Sequence, residues 1–315
     1  MYRLTFAIAL YALSLTVVRA ASPVEAEEMA SFEFVSTARI PITVWYYLPA
    51  AVEANTRVVF LLHGDSRTGR EARDFGAPHA RDGRFILLAP EFDAEHFPGD
   101  SYSFGGMVDA TRRLRPRNDW ALLIIEQLFE HVRVRWKLKA TTYDAIGHSG
   151  GAQFLQRLVL FVPEARFARA IASSPGRYAF PVSAQQVPYG MGGTDATALL
   201  RRAFQRDFVL LLADRDTADR VREPEAMAEG ANRFTRGLRF FAAAVEQAGE
   251  LGVPFHWQLR IKHGADHSPR EAVATAFAIL AERAPDRSPD AERPLVARLR
   301  ADYGLARAVT PPRLK

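Results

Sequence analysis

Short apolar runs recur along the chain, and stretches with a helical period lie between the later ones. The continuous runs are "RVVFLLHG" (57–64), "RFILLAP" (84–90), "TYDAIG" (142–147), "FARAIASS" (167–174) and "FVLLLAD" (208–214). Each is bounded by Gly, Pro, Asp or Ser, and an uninterrupted apolar run of this length suits a strand covered on both faces. Three other segments, "FEFVS" (32–36), "ITVWYYL" (42–48) and "FHWQLRIK" (255–262), alternate instead, as strands nearer a sheet edge do. Helical spacing appears at 70–80, after a capping-box-like Thr68–Glu71 pair, and at 118–132 through Ala121, Ile125, Leu128 and Val132. It recurs at 233–249 through Phe234, Leu238, Phe241 and Val245, with Gly249 as the stop, and at 270–285 through Val273, Phe277 and Leu280. Two strands followed by alternating strand and helix predict an α/β sandwich with a mostly parallel sheet of about eight strands and helices on both faces. In such sheets ligands bind beyond the carboxyl ends of the strands.

The first twenty residues, "MYRLTFAIALYALSLTVVRA", differ from the rest. Arg3 precedes an apolar run from Leu4 to Val18, and Val18 and Ala20 are small residues ahead of a cleavage point. The run is shorter than the roughly 20 residues of a spanning helix, so it reads as a signal peptide over 1–20. The expectation is a secreted or periplasmic protein with no stable membrane insertion, a catalytic domain over 21–283 and a Pro-, Asp- and Arg-rich tail over 284–315. One short helix is expected around 295–302. The chain has no cysteine, which excludes disulfides, a thiolate nucleophile and cysteine metal sites. Its formal net charge of +5 comes mostly from arginine; it fits attraction to an anionic polymer or a mere habit of composition, and no nucleic-acid partner is expected.

The segment "YDAIGHSGGAQFL" (143–155) holds the pattern G-x-S-x-G at Gly147, Ser149 and Gly151. A strand before it and a helix after it make the sharp turn that presents a serine hydroxyl, with glycines where strand and helix pass closely. A serine needs a base, and the base needs a carboxylate to orient it. Of the eight histidines, His131 falls on a helix, His256 within a strand, and His79 and His96 on segments not aimed at the serine. His148 neighbours the serine where the turn should point it away. His263 and His267 follow the last strand in "LRIKHGADHSPRE". His267 is preferred, because Ser268, Pro269 and Glu271 start a helix directly after it. A metal site at "HGADH" lacks a third ligand, and no metal or cofactor is expected. The carboxylate should follow the strand 208–213, where Asp214 closes the strand and Asp216, two residues on, is favoured. The N–H of Gly150, at a helix start, is the first candidate donor to an oxyanion.

With His63-Gly64, "GHSGG", Asp216 and His267 in this order, the chain resembles the α/β-hydrolase fold over roughly residues 30–283. "LLHGDSRTGREARDF", "LAPEFDAEHFPG" and "SSPGRYAFP" with "VPYG" resemble secreted esterases related to polyhydroxyalkanoate depolymerases, some of whose relatives cleave poly(aspartic acid). The resemblance implies hydrolysis of an ester or polymeric substrate through an acyl-enzyme. It also implies that the loop holding His63-Gly64 supplies a second oxyanion donor, the N–H of Asp65, an unusual residue there because its side chain is acidic. The segment 174–200 should hang over the serine, which makes Tyr178, Phe180 and Tyr189 candidate substrate-binding residues. Arg112 and Arg115, on the loop after the fourth strand, are candidates to line an anionic groove. Three readings stay open: a carboxylesterase or depolymerase, an amide hydrolase on an acidic polypeptide, and a binding protein on a non-catalytic hydrolase scaffold.

Overall fold

The computed structural model describes residues 27–218 and 221–282, together with positions 294, 297, 298, 300 and 301. The signal peptide expected at 1–20 lies outside the described residues, as does most of the tail; the described positions within 295–302 are helical.

The apolar runs form a sheet of eight strands: β1 (Glu28–Val35), β2 (Pro41–Leu48), β3 (Val58–Leu62), β4 (Ile86–Glu91), β5 (Tyr143–His148), β6 (Phe167–Ser173), β7 (Phe208–Ala213) and β8 (Trp257–Lys262). Their order is β1-β2-β4-β3-β5-β6-β7-β8. β2 runs antiparallel to both its neighbours, and every pair from β4 through β8 is parallel. The helices are α1 (Gly69–Gly83), α2 (Leu123–Arg135), α3 (Gly150–Phe161), α4 (Ala196–Ala203), α5 (Pro224–Glu229), α6 (Arg233–Leu251) and α7 (Pro269–Ala281).

Period-two alternation divides the core into two layers. Val58, Phe60, Leu62, Leu210 and Leu212 face α2, α3, α4 and α6. Val59, Leu61, Val209 and Leu211 face α1 and α7. Side chains are thus buried on both faces of the central strands, which is why those strands are apolar without interruption.

Two helix boundaries differ from expectation. Thr68 precedes α1, but its hydroxyl donates to the Ser66 carbonyl; the Gly69 N–H is taken instead by Glu91 Oε2 at 2.8 Å, from the end of β4. α6 runs past Gly249, because Leu251 still packs on the core, and the left-handed cap falls on Gly252 at φ +63°. Among the described residues, no helix is long and apolar enough to cross a membrane.

Candidate active site

Ser149 sits between β5 and α3 with φ +54° and ψ −115°, a conformation that costs an L-residue on the order of 1–3 kcal/mol. Its neighbours explain the two glycines. A Cβ on Gly147 would lie 2.4 Å from the Gly151 carbonyl oxygen, and one on Gly151 would lie 2.4 Å from that of Leu62 and 2.6 Å from that of His63. The strand, the turn and the start of α3 pass too closely for any side chain at either position.

The loops after β7 and β8 meet at this turn. Ser149 Oγ lies 3.0 Å from His267 Nε2, and His267 Nδ1 lies 2.6 Å from Asp216 Oδ2. Arg233, the first residue of α6, donates from Nη1 to the other Asp216 oxygen at 2.9 Å. Burial pushes the Asp216 carboxyl up, but the hydrogen bond from His267 and the charges of His267 and Arg233 outweigh it, and its net shift is downward. A hydroxyl, an imidazole and a carboxylate in this chain can pass a proton between the first two while the third holds the ring.

His267 is held on its helix side. Ser268 Oγ accepts from the Glu271 N–H, and the Glu271 carboxylate turns to Lys262 at 3.0 Å, so only half of a capping box forms. Asp214 takes a separate partner: it accepts from the Gly264 N–H at 2.7 Å and lies 2.9 Å from His263 Nδ1. The two loops are also joined by the Arg215 N–H donating to the Ala265 carbonyl.

His148 does not turn away. It is 4% exposed and its ring centroid lies 4.6 Å from that of His267. Burial, with the nearby His267 charge, lowers its pKa to about 3, and neither ring nitrogen has a hydrogen-bond partner. It is a neutral plate against the His267 ring. His63, buried under the next loop, is likewise lowered to about 4 by burial. There its Nδ1–H donates to the Gly64 carbonyl and its Nε2 accepts the Phe92 N–H, each at 2.9 Å.

Both histidines hold their protons less tightly folded than unfolded, so the stability they contribute is present above pH 6.5 and is lost as pH falls through about 4 for His63 and about 3 for His148. His63 alone accounts for a loss on the order of 3 kcal/mol over that window. Urea denaturation at pH 7.5, 5.5 and 4.5 is expected to show the midpoint falling steadily; a flat midpoint would contradict the buried neutral state.

The loop clamped by His63 brings Asp65 beside Gly150. From the position of a Cβ on Gly150, the Asp65 backbone nitrogen is 3.5 Å away and Asp65 Oδ1 is 2.5 Å away. The exposed carboxylate therefore lies over the start of α3 rather than away from it. Ser149 opens into a cavity of about 540 Å³ lined by Asp65, Glu71, Gln153, Gly176, Arg177 and Arg233 among others.

No protein-family model matches the sequence, and no curated protein matches it at a significant level. Solved structures do. A poly(aspartic acid) hydrolase from Sphingomonas sp. KT-1 superposes with a TM-score of 0.78 at 35% identity, covering 81% of this chain and 98% of its own. The chain belongs to the α/β-hydrolase family of esterases and depolymerases. A poly(3-hydroxybutyrate) depolymerase from Bordetella parapertussis superposes on this α/β-hydrolase with a TM-score of 0.77 at 27% identity, covering 86% of this chain and 94% of its own. An S-formylglutathione hydrolase from Agrobacterium tumefaciens shares the fold, at 18% identity and a TM-score of 0.57, over 82% of this chain and 95% of its own.

None of the five expected substrate-binding residues lines the cavity of the hydrolase. Tyr178 is fully buried, with its ring 4.8 Å from that of Phe240 on α6, and Phe180 packs on the same ring. Tyr189 is 2% exposed and packs on Phe104. The aromatics of this segment fold down onto the core, where apolar area is removed from water, and Gly176 and Arg177 face the cavity in their place. Arg112 is held by Glu225 at 2.6 Å, and Arg115 reaches the Gly106 carbonyl and Asp119. Sequence reasoning missed Gln153, Gly176, Arg177 and Arg233. Only Gln153 carries a local signal, because a residue four after the serine on a helix stacks on the serine's own face.

Proposed function

We propose that this hydrolase cleaves carboxylic esters, polyesters among them, through an acyl-enzyme on Ser149. The observation that carries the reading is the unbroken chain of hydrogen bonds from Ser149 Oγ through His267 to Asp216. Ser149 Oγ attacks the ester carbonyl as its proton passes to His267 Nε2. The tetrahedral oxyanion takes hydrogen bonds from the N–H groups of Gly150 and Asp65. On collapse the C–O bond to the alcohol breaks, and His267 returns the proton to the leaving oxygen. Water then attacks the acyl-serine with His267 again as base, releasing the acid and restoring the hydroxyl. Asp216 fixes the ring and balances its charge, and Arg233 fixes Asp216. The reading includes export, with removal of 1–20, a catalytic domain over 21–283 and a tail without a catalytic part.

A second reading, cleavage of amide bonds in an acidic polypeptide, is favoured by the poly(aspartic acid) hydrolase at 35% identity. A panel of short esters, long esters, poly(3-hydroxybutyrate) and poly(aspartic acid) separates the two. Ester and polyester turnover without release from poly(aspartic acid) supports the first; release from poly(aspartic acid) alone sinks it.

The Asp65 carboxylate sets a further expectation. A negative charge about 4 Å from a developing oxyanion at an exposed site opposes it by roughly 1 kcal/mol. Asp65→Asn is therefore expected to raise kcat on a neutral ester about fivefold at low salt, with a smaller gain at high salt. A fall in kcat would show that the carboxylate assists the reaction.

A further inference from the structure

We propose that the hollow beside Gly176 is a specificity subsite that takes a carboxylate carried by the substrate near its scissile bond. This rests on the hydrolytic reading of Ser149 for its role, but the geometry is independent of it. Gln153 lies one helical turn after Ser149 and is 2% exposed. Arg233 spends Nη1 on Asp216 and on the Ala218 carbonyl, while its Nε is buried and unpartnered. Both side chains line the cavity that holds Ser149.

The two groups converge on one point. A methyl placed on Gly176 would sit 3.6 Å from Gln153 Nε2 and 3.8 Å from Arg233 Nε. The wall there is fixed, because Arg236 Nε donates to the Gly176 carbonyl at 2.8 Å. A buried donor left without an acceptor costs about 1–3 kcal/mol, more when it is charged. An acceptor in the hollow removes that cost at Arg233 Nε and also faces Gln153 Nε2, and a carboxylate makes the bond to Nε a charge-assisted one. Arg177, the next residue, lines the same cavity, with its guanidinium held by Glu223 and Asp100. The acidic residues of the cavity lie on the far side of the serine. Asp65 and Glu71 follow β3, on one flank of β5, whereas Gly176 follows β6, on the other. Asp65 and Glu71 therefore disfavour a substrate carboxylate on their own side of the serine.

The test uses Gly176→Ala and Gln153→Leu. An added Cβ on Gly176 meets no heavy atom closer than 3.5 Å, so the first variant fills the hollow without a clash and keeps every charge. Arg233 is left intact, because it also holds Asp216. Hydrolysis of monoethyl succinate and of ethyl butyrate is followed by pH-stat, and binding of succinate and of butyrate by calorimetry. The wild type is expected to favour the succinate ester and to bind succinate more tightly than butyrate. In each variant the ratio of kcat/KM for the two esters, and the preference in binding, are expected to fall at least tenfold toward the butyrate side. Variants that keep the wild-type ratio and the wild-type binding preference overturn the subsite. Succinate binding that is lost in Gly176→Ala, with neither ester turned over by the wild type, supports the subsite and removes the hydrolytic reading.

Discussion

Ser149→Ala is expected to lower kcat/KM on a neutral p-nitrophenyl ester by about 10⁴-fold or more while leaving the fold intact. The serine Oγ touches one side-chain partner, His267 Nε2, and its removal breaks no bond of the core. Alanine meets the same left-handed strain at φ +54°, so the variant neither gains nor loses backbone energy there. Residues that act as one nucleophilic unit are non-additive, so Ser149→Ala, His267→Ala and the double variant should show losses of similar size. The turnover that survives is expected to come from the proposed Gly150 and Asp65 donors and from binding. A Ser149→Ala protein that keeps more than a tenth of the wild-type rate would remove the serine from the mechanism.

Gly151→Ala is expected to destabilise the protein by on the order of 3 kcal/mol and to abolish turnover with it. Its Cβ would lie 2.4 Å from the Leu62 carbonyl oxygen and 2.6 Å from that of His63, and both obstacles are backbone. They belong to β3 and to the loop that carries Asp65, so relief requires α3 to move away from β3. That movement shifts Ser149 and parts Gly150 from Asp65 at once. Gly176→Ala is the matched comparison: its nearest neighbour would be 3.5 Å away, so its unfolding midpoint should stay within about 1 kcal/mol of wild type. Equal stability for the two variants would contradict the close passage at the turn.

The sheet is legible in the sequence because burial on both faces leaves a continuous apolar run, and eight such or alternating runs become the eight strands. The positions of Ser149, Asp216 and His267 are legible for a related reason. Each closely follows a strand, and strands of one parallel sheet end on one edge. What is not legible depends on contacts between distant segments. Arg233 reaches Asp216 only because α6 starts beneath the loop after β7. His148 meets His267 because two loops separated by 118 residues along Ser149–His267 fold together. Tyr178 and Tyr189 have the composition of a binding surface and the burial of a core, and nothing local distinguishes the two. Arg112 has a partner, Glu225, that lies 113 residues away.

The nucleophile is tested most directly by covalent labelling. Purified wild-type protein treated with a fluorophosphonate at neutral pH, digested and mapped by mass spectrometry, is expected to carry one adduct per chain, on the peptide that contains Ser149. His267→Ala should slow its formation by orders of magnitude. No adduct, or an adduct on another residue at the same rate in wild type and in Ser149→Ala, would contradict the assignment of Ser149 as the nucleophile.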